Sequence, residues 1–593
     1  MPSTRRTVVT GVALAAALTL AACSNTQPAQ PGATTGSSAG TSTGTSTGAT
    51  AGTGGGSSPS AAGFQAQHKG GTLKLLAAAA AGSIDPQINY TLQYWQIYQG
   101  AYDGLLAFRK VGGDGSFTVV PDLATALPVI SDGGKTYTFT LRKGVVFSNG
   151  KAVTTDDVVA SYRRIFTVSS PTAGTFYNGI VGADACLKTP KTCTLPGVTA
   201  DRATGKVTIK LTVADPEFPY KVSVPHAAIL PAGSPTTDSG TKPIPGTGAY
   251  AITAYNPSGN GSLVLSRNTH FTEWSREAQP QGYPDQIVES FGQTVEAEIT
   301  AVQNGQADWL ADQPPPDRLN EIGTKYASRV HVNPLTAFWY LPMNTRIAPF
   351  NNLKARQAVN FAIDRNAVVQ LYGGKNLASP VCTILPPGFP GHVDTCAYTA
   401  NPGTTWSAPD MAKAEQLVQE SGTAGQAVSV VVAQDTVNAS IGEYVQSVLT
   451  ALGYKAKVSK ISGNIQFTYI QNTKNKVQIS LSQWYQDYPA ASDFLNVLFS
   501  CGSFHPGSDS SVNISGWCDK PTDAALTGAL AQQVKGGLPS ADGQWAALDK
   551  SLMDQSVVAP LVTPKLVDFT SARVGNYGFS KQFYMLVDQL WVQ

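Results

Sequence analysis

Residues 134–158 read GKTYTFTLRKGVVFSNGKAVTTDDV, and this stretch predicts a strand followed by a helix. From Thr136 to Arg142 aromatic or aliphatic residues alternate with polar ones, which is typical of a strand with one buried face. Thr154-Thr155-Asp156-Asp157 is a capping box, whose side chains accept the free backbone N–H groups of a helix start. One helical face then carries Val158, Val159, Tyr162 and Ile165. We therefore expect a half-buried strand and an amphipathic helix here.

The alternation of strands and helices continues toward the C-terminus. Val428–Ala433 and Tyr454–Val458 are predicted strands that flank a predicted helix, Ala439–Leu452. A strand–helix–strand unit of this kind places its strands parallel in one sheet. A further helix is predicted at Leu353–Leu371, because Gly373-Gly374 would end it. The folded part is therefore predicted to have a mixed α/β architecture.

The composition is poor in charge. The chain has 593 residues, enough for three or four domains at ~100–200 residues each. Apolar residues make up 42%, which excludes wholesale disorder. Charged residues make up only 13%, against ~25% in ordinary soluble domains, and the net charge is +2. A nucleic-acid-binding protein, which usually carries a strongly basic surface, is therefore not expected.

The N-terminus is predicted to be an export signal and a tether. Arg5 and Arg6 precede an apolar run, Val8 to Leu20, that is too short to span a bilayer. Small residues follow it directly before Cys23, as in a bacterial lipobox, so we expect residues 1–22 to be a lipoprotein signal peptide and Cys23 to be lipidated. An ordinary secretory signal, or export by the twin-arginine route, is the alternative. Residues 23–63 are rich in Gly, Ser and Thr and are predicted to form a flexible linker.

The sequence contains one apparent catalytic motif and lacks the usual metal-binding spacings. Gly40-Thr41-Ser42-Thr43-Gly44 matches the GxSxG pattern of hydrolases, but that motif needs a strand before it and a helix after it. A Gly/Ser/Thr linker offers neither, so the match does not predict an enzyme. The chain has no CxxC or HExxH spacing and no histidines four positions apart, so no metal site and no cofactor are expected.

Six cysteines remain once Cys23 is set aside, and they fall into three local couples. Each couple brackets a stretch rich in Gly, Pro, Thr or Ser, so local pairing is the simplest of fifteen possible connectivities. Disulfides imply an oxidising compartment outside the cytoplasm. The expected pairs are Cys186 with Cys193, Cys382 with Cys396, and Cys501 with Cys518.

Five short blocks follow one another along residues 69–593. In chain order they are GGTL from Gly70 with IDP from Ile84 and YDGLL from Tyr102; the opening stretch 134–158; GTGAY from Gly246 with Arg267-Asn268; MNT from Met343 through Pro349-Phe350 and RQA from Arg356 to AIDR from Ala362; and QWYQDYP, residues 483–489. Together, and in this order, they resemble the family 5 extracellular solute-binding proteins of ABC importers, which take up oligopeptides, dipeptides and nickel.

The resemblance implies a two-lobed, periplasmic-binding-protein-like α/β fold (type II) with a ligand cleft between the lobes. It implies a third, inserted domain at residues 105–224. Lobe I would comprise residues 64–104, 225–330 and 556–593, and lobe II residues 331–555. The chain would cross between the lobes at Asn333-Pro334 and near Ser556.

The same resemblance implies a set of ligand-binding residues. In peptide-binding relatives the position matching Asp487 holds the free amino group of the peptide, and a buried ammonium does need a carboxylate. On residue type alone, Asp487 would instead be a surface or turn carboxylate. Gln483, which stands where a glycine is common, Trp484 and Tyr485 match the segment along the peptide backbone. Further cleft candidates, each of which would otherwise be assigned to the core, are Tyr90, Leu92, Phe176, Tyr177 and Trp339.

We therefore expect a lipid-anchored, extracytoplasmic binding protein that captures a peptide and delivers it to the permease subunits of an ABC importer. It is expected to act as a monomer and not as an enzyme. Three alternatives remain open at this point. They are a nickel- or other solute-binding member of the same family, a surface receptor that keeps the binding fold without transport, and a secreted hydrolase.

Overall fold

The structure is a computed structural model that describes residues 64–508 and 511–593. The signal peptide, the linker and Cys23 lie outside the described residues. Within the described ranges no helix is both long and apolar enough to cross a membrane. The α-helices span Leu92–Tyr98, Thr155–Thr167, Ala183–Lys188, Phe218–Lys221, Val295–Gln303, Pro316–Lys325, Leu353–Ala362, Arg365–Tyr372, Met411–Ser421, Thr436–Ala451, Gly463–Gln471, Ser492–Phe499, Lys520–Gly536 and Asp542–Asp554.

A first sheet is built from residues near the start of the described chain and from residues 250–310. The strand Thr72–Ala77 runs parallel to both of its neighbours, and the remaining pairs are antiparallel. Its core-facing side chains, such as Leu73, Leu265 and Ile287, are fully buried. The strand order is Trp309–Leu310, Thr72–Ala77, Gln286–Phe291, Ser262–Arg267 and Tyr250–Tyr255.

The opening stretch of the sequence folds as predicted, inside a separate antiparallel sheet. Thr136–Thr140 is a strand whose Tyr137 and Phe139 are buried, and Thr154 and Asp157 form the capping box of the helix Thr155–Thr167. This insert sheet has the order Val129–Ser131, Thr136–Thr140, Lys206–Lys210 and Val198–Asp201. A small hairpin, Leu106–Phe108 with Val119–Pro121, precedes it.

Two more sheets form the second half of the molecule. The predicted strand–helix–strand unit is confirmed, because Ala427–Ala433 and Lys455–Ile461 pair in parallel on either side of the helix Thr436–Ala451. We call this three-stranded sheet the third sheet. Its strand order is Lys455–Ile461, Ala427–Ala433 and Ile479–Ser480. The other sheet is antiparallel, and we call it the second sheet. Its strand order is Val330–Pro334, Val558–Phe569, Ala337–Pro342 and Ser482–Tyr485. The short strand Ala378–Pro380 also pairs with Val558–Phe569. Short pairs near the C-terminus join Val574–Gly575 to Trp591–Val592 and Phe579–Ser580 to Tyr584–Met585.

The long strand Val558–Phe569 pairs with two other strands of the second sheet. Its first half pairs with Ala337–Pro342, and its second half pairs with Val330–Pro334. The chain reaches the first sheet only afterwards, where Thr570 bridges to Trp309. The backbone hydrogen bonds therefore keep this strand in the second sheet up to Phe569.

The prediction of a single helix at Leu353–Leu371 is wrong. The structure has two helices, Leu353–Ala362 and Arg365–Tyr372. Asp364 has an extended backbone, and its carboxylate accepts the N–H groups of Asn366 and Ala367 at 2.8 and 3.1 Å. A side chain that caps a new helix start in this way ends the preceding helix.

The local cysteine pairing is confirmed. Disulfides join Cys186 to Cys193, Cys382 to Cys396, and Cys501 to Cys518, with sequence separations of 7, 14 and 17. Each bridge closes a loop within one region of the fold, so each stabilises that loop by restricting the unfolded chain.

Candidate ligand-binding site

A cavity of about 190 Å³ lies where the segment around Tyr90, the strand Ser482–Tyr485 and the C-terminal residues 582–584 meet. We call it the small cavity. These three segments are far apart in the sequence, so only the tertiary fold brings them together. Its lining residues are Tyr90, Thr91, Leu92, Trp95, Phe467, Gln483, Trp484, Tyr485, Gln486, Asp487, Gln582, Phe583 and Tyr584.

Local structure fixes the Tyr90 side of the cavity. Thr91 caps the helix Leu92–Tyr98 by accepting the N–H of Tyr94, and the Asn89 side chain accepts the N–H of Thr91 at 3.0 Å. Both bonds hold the residue between them, Tyr90, at the helix entrance. The Tyr90 ring packs against Trp95 and His226, with ring centroids 5.6 and 5.1 Å away. Burial lowers the pKa of His226 to about 3, so this wall carries no positive charge at neutral pH.

Asp487 supplies the carboxylate of the cavity wall and is only 7% exposed. The Tyr90 hydroxyl donates a hydrogen bond to Asp487 Oδ2. The backbone of Asp487 is held as well, because the Gln582 side-chain amide donates to the Asp487 carbonyl at 2.6 Å. Burial raises the pKa of Asp487 to about 7, against the lowering effect of the bond from Tyr90. The carboxylate is therefore short of positive charge in the structure.

The strand Ser482–Tyr485 carries three of the predicted residues. Gln483, Trp484 and Tyr485 all line the cavity. The strand is the last one in the order of the second sheet, with Ala337–Tyr340 on its paired side. Within the described residues its other edge carries no paired strand of that sheet. Extended backbone beside a cavity can accept a further extended chain.

The remaining predicted residues are placed differently. Tyr90 and Leu92 line the cavity, whereas Trp339 does not. Trp339 lies on the adjacent strand, opposite Gln483, and its indole N–H donates to the Tyr485 hydroxyl at 3.3 Å. Phe176 and Tyr177 do not line this cavity. Phe176 packs edge-on against the neighbouring Tyr488 at 5.3 Å, and the Tyr177 hydroxyl donates to the Lys221 carbonyl at 2.8 Å.

Sequence reasoning missed the C-terminal wall and a second acid. Gln582, Phe583 and Tyr584 line the cavity, yet no local pattern marks them, since they reach it from the far end of the chain. Asp493 was also missed. It is the acidic residue in the first turn of the helix Ser492–Phe499, and that position was its one visible signal. Its Oδ2 accepts the N–H of Asp487 at 2.9 Å.

A second, larger cavity of about 860 Å³ lies beside the same segments, and we call it the large cavity. Pro489, Ala490 and Lys581 form part of its wall. The loop closed by the disulfide between Cys382 and Cys396 contributes residues 388–393, and Asp542 faces the cavity from the helix Asp542–Asp554. The two cavities therefore flank the segments 487–490 and 581–583.

The chemistry of the small cavity is that of a cation-binding pocket with apolar walls. A single carboxylate faces aromatic side chains, so an organic cation with an apolar body fits better than a hydrated ion. Among the described residues no group of three or more His, Cys, Asp or Glu is arranged to hold a metal ion.

Comparison with known proteins identifies the family of the chain. The family model described as "Bacterial extracellular solute-binding proteins, family 5 Middle" matches residues 118–506. The chain belongs to this family. The family 5 protein is 28% identical over 344 residues to "Probable peptide ABC transporter periplasmic-binding protein y4tO" of Sinorhizobium fredii, a match that covers 56% of the chain and 60% of that relative.

Two further comparisons extend over more of the family 5 protein. It is 26% identical over 481 residues to "Probable di/tripeptide-binding protein 5" of Pseudomonas aeruginosa, covering 78% of the chain and 85% of that protein. Its structure is similar to that of "Clavulanic acid biosynthesis oligopeptide binding protein 2", with a TM-score of 0.78 at 21% identity over 89% of the chain and 96% of that structure. The predicted two-lobed α/β fold is thereby confirmed.

Proposed function

We propose that this protein binds short peptides outside the cytoplasm and delivers them to an ABC importer. The observation that carries the proposal is the buried, electrically uncompensated Asp487 in the wall of a cavity at the junction of three distant segments. The names of its relatives point to the same class of ligand. Membership of a substrate-binding family supports a binding role without catalysis.

The free amino group of the peptide would pair with Asp487. An ammonium leaves water at a high free-energy cost unless it meets an opposite charge, and a charge-assisted hydrogen bond to a buried carboxylate meets that requirement. The Tyr90 hydroxyl occupies Asp487 Oδ2 in this structure, so the ammonium would replace or join it. The ligand would thus be oriented with its N-terminus at Asp487.

The peptide backbone would lie along the strand Ser482–Tyr485. This strand ends its sheet on the cavity side, so its N–H and C=O groups are the natural partners of an extended ligand. Main-chain pairing gives affinity without strong selection of side chains. The size of the small cavity, about 190 Å³, falls below the ~300–1,000 Å³ of typical drug-sized pockets, which favours ligands of two or three residues.

The cellular context is part of the same proposal. Cleavage before Cys23 and lipidation of that residue would anchor the protein to the outer face of the cell membrane. Residues 24–63 would act as a tether with a reach of roughly 35 Å. The domains would act as one monomer that presents its ligand to the permease subunits.

Native mass spectrometry of the purified protein, followed by calorimetric titration, tests the proposal. We expect co-purified peptides of two or three residues, and measurable binding of the dipeptide Ala-Phe. N-acetylated Ala-Phe, which has no ammonium, should bind at least about 100-fold more weakly. Equal binding of the acetylated form would contradict the assigned role of the amino group.

A further inference from the structure

Asp493 lies directly behind the carboxylate of the small cavity. It is 0% exposed, and its Oδ2 accepts the backbone N–H of Asp487 at 2.9 Å. The two carboxyl groups also interact strongly, so that the titration of each one affects the other. Among the described residues, Asp493 Oδ1 receives no hydrogen-bond donor. An oxygen that accepts nothing, beside a second carboxyl group, is the place where a carboxylic proton fits.

One base, Lys221, interacts with Asp493, but it is shared with two other acids. The inserted region contributes two acids, Asp215 and Glu217, and one base, Lys221, whose ammonium donates to Asp215 at 2.6 Å. Ser492, next to Asp493, donates to Glu217, and burial raises the pKa of Glu217 to about 7. The other titratable groups that act on the two carboxyls are phenols that burial keeps neutral, namely Tyr90, Tyr177, Tyr488 and Tyr584.

The direction of titration agrees with the geometry. Burial first, and the charge of Asp487 second, raise the pKa of Asp493 well above its ordinary value. Asp487 stays the more acidic member of the pair, because the Tyr90 hydroxyl donates to its carboxylate and Asp493 also lowers its pKa. Two carboxyl groups this close titrate as a unit, with the first proton leaving from Asp487.

We propose that Asp493 is a permanently protonated positioning residue, whose carboxylic O–H donates to Asp487 and keeps Asp487 as the one ionised group that receives the ligand amine. The site would then present a single negative charge to the cavity. A single charge matches a monocation such as a peptide ammonium, whereas two ionised carboxylates would attract a divalent metal ion. Asp493 would therefore select the class of cation without touching it.

The protonation state is testable without any ligand. The infrared difference spectrum of wild-type protein minus Asp493→Asn at pH 7 should show the carbonyl band of a protonated carboxylic acid. The matched control is Asp435→Asn, which removes an exposed helix-capping carboxylate that accepts the N–H of Asn438 at 3.0 Å. Its difference spectrum should show carboxylate bands instead. Carboxylate bands from Asp493 would overturn the inference.

The second experiment, which rests on the proposed function, measures calorimetric affinity for Ala-Phe. Asp493→Asn keeps a neutral donor of the same shape, so affinity at pH 7 should stay within about threefold of wild type. Asp493→Ala removes the donor, which should weaken binding about tenfold or more and move the pH midpoint of binding upward. A loss of about tenfold or more in Asp493→Asn would show an ionised Asp493 and overturn the inference. If wild-type protein binds no Ala-Phe, the proposed function is in question, and the infrared result still decides the state of Asp493.

Discussion

The Tyr90 hydroxyl donates a hydrogen bond to Asp487, although 397 positions separate the two residues in the sequence. Tyr90 precedes a helix whose side chains bond to strands of the first sheet, and Asp487 follows the edge strand of the second sheet. The bond therefore closes the small cavity between two parts of the fold. It also occupies the acceptor that the ligand amine would use, so closure and ligand binding compete for one carboxylate.

Removal of the Tyr90 hydroxyl should separate closure of the small cavity from ligand binding. In Tyr90→Phe the buried carboxylate loses a donor, so the free energy of unfolding without ligand should fall by about 1.5–3 kcal/mol. Added Ala-Phe should restore more stability to this variant than to wild type, because the ammonium no longer competes with a phenol. Chemical denaturation with and without dipeptide measures both quantities.

Tyr102→Phe is the matched control for that measurement. The Tyr102 hydroxyl donates to the Ile244 carbonyl at 2.9 Å in a buried position away from the small cavity. Its loss should lower stability while leaving the gain from added dipeptide unchanged. An equal response of both variants to dipeptide would mean that the hydroxyl of Tyr90 has no part in the site.

Peptide affinity should rise with pH in the acid range. Burial raises the pKa of Asp487 to about 7 in the free protein, and an ammonium needs the ionised form. Binding must therefore expel a proton when the pH lies below this value. Affinity for Ala-Phe should increase by up to about tenfold per pH unit between pH 5 and 6.5. It should fall again above about pH 8, where the dipeptide amine loses its proton.

Calorimetry at several pH values checks this profile. Titration in two buffers of different ionisation enthalpy should also show proton release at pH 6. A profile that is flat from pH 5 to 7, with no proton release, would contradict the raised pKa of Asp487.

A buried acid outside the site should limit stability at alkaline pH. Glu298 is fully buried, and burial together with Asp312 raises its pKa to about 8. The folded state thus holds a proton that the unfolded state releases above about pH 4.3, so this group makes stability fall as pH rises from about 4 toward 8. Glu298→Gln should therefore raise the free energy of unfolding by about 1–2 kcal/mol at pH 8 and change it less at pH 5. Urea denaturation at both pH values measures the effect, and an equal change at the two would refute this explanation.

The disulfide between Cys501 and Cys518 should contribute to stability through its closed loop. Replacing both cysteines by serine should lower the free energy of unfolding by about 3 kcal/mol, as expected for a loop of this length. Replacing Cys186 and Cys193, which enclose a shorter loop, should cost less. Denaturation of both double variants under non-reducing conditions gives the comparison. The reverse order would show that loop length does not determine the effect.

Local patterns in the sequence predicted much of the fold but less of the site. Alternation and capping located the strand Thr136–Thr140 and the helix after it, because these signals act over a few neighbouring residues. The helix break before Asp364 was missed, because the apolar helical pattern continues on both sides of it. The register of Val558–Phe569 depends on two partner strands that lie more than two hundred positions away, so no local pattern could predict it.

The residues of the site also divide into those that a local sequence pattern predicts and those that only tertiary contacts place. Asp487, Trp484 and Tyr485 were predicted because they lie in one short block that resembles a known family. Phe583 and Tyr584 reach the cavity only through tertiary packing, and Asp493 acts through another residue. Residues of these two kinds carry no pattern that a single sequence reveals.

The most direct test of the account is the affinity of Ala-Phe for wild type, Asp487→Asn and Asp542→Asn at pH 7. Asp542→Asn is the matched control, because Asp542 lines the large cavity and not the small one. Asp487→Asn leaves a desolvated ammonium without its opposite charge, so it should bind about 100-fold more weakly or worse. Asp542→Asn should stay within about threefold of wild type. Unchanged affinity in Asp487→Asn would contradict the central claim that this carboxylate receives the peptide amine.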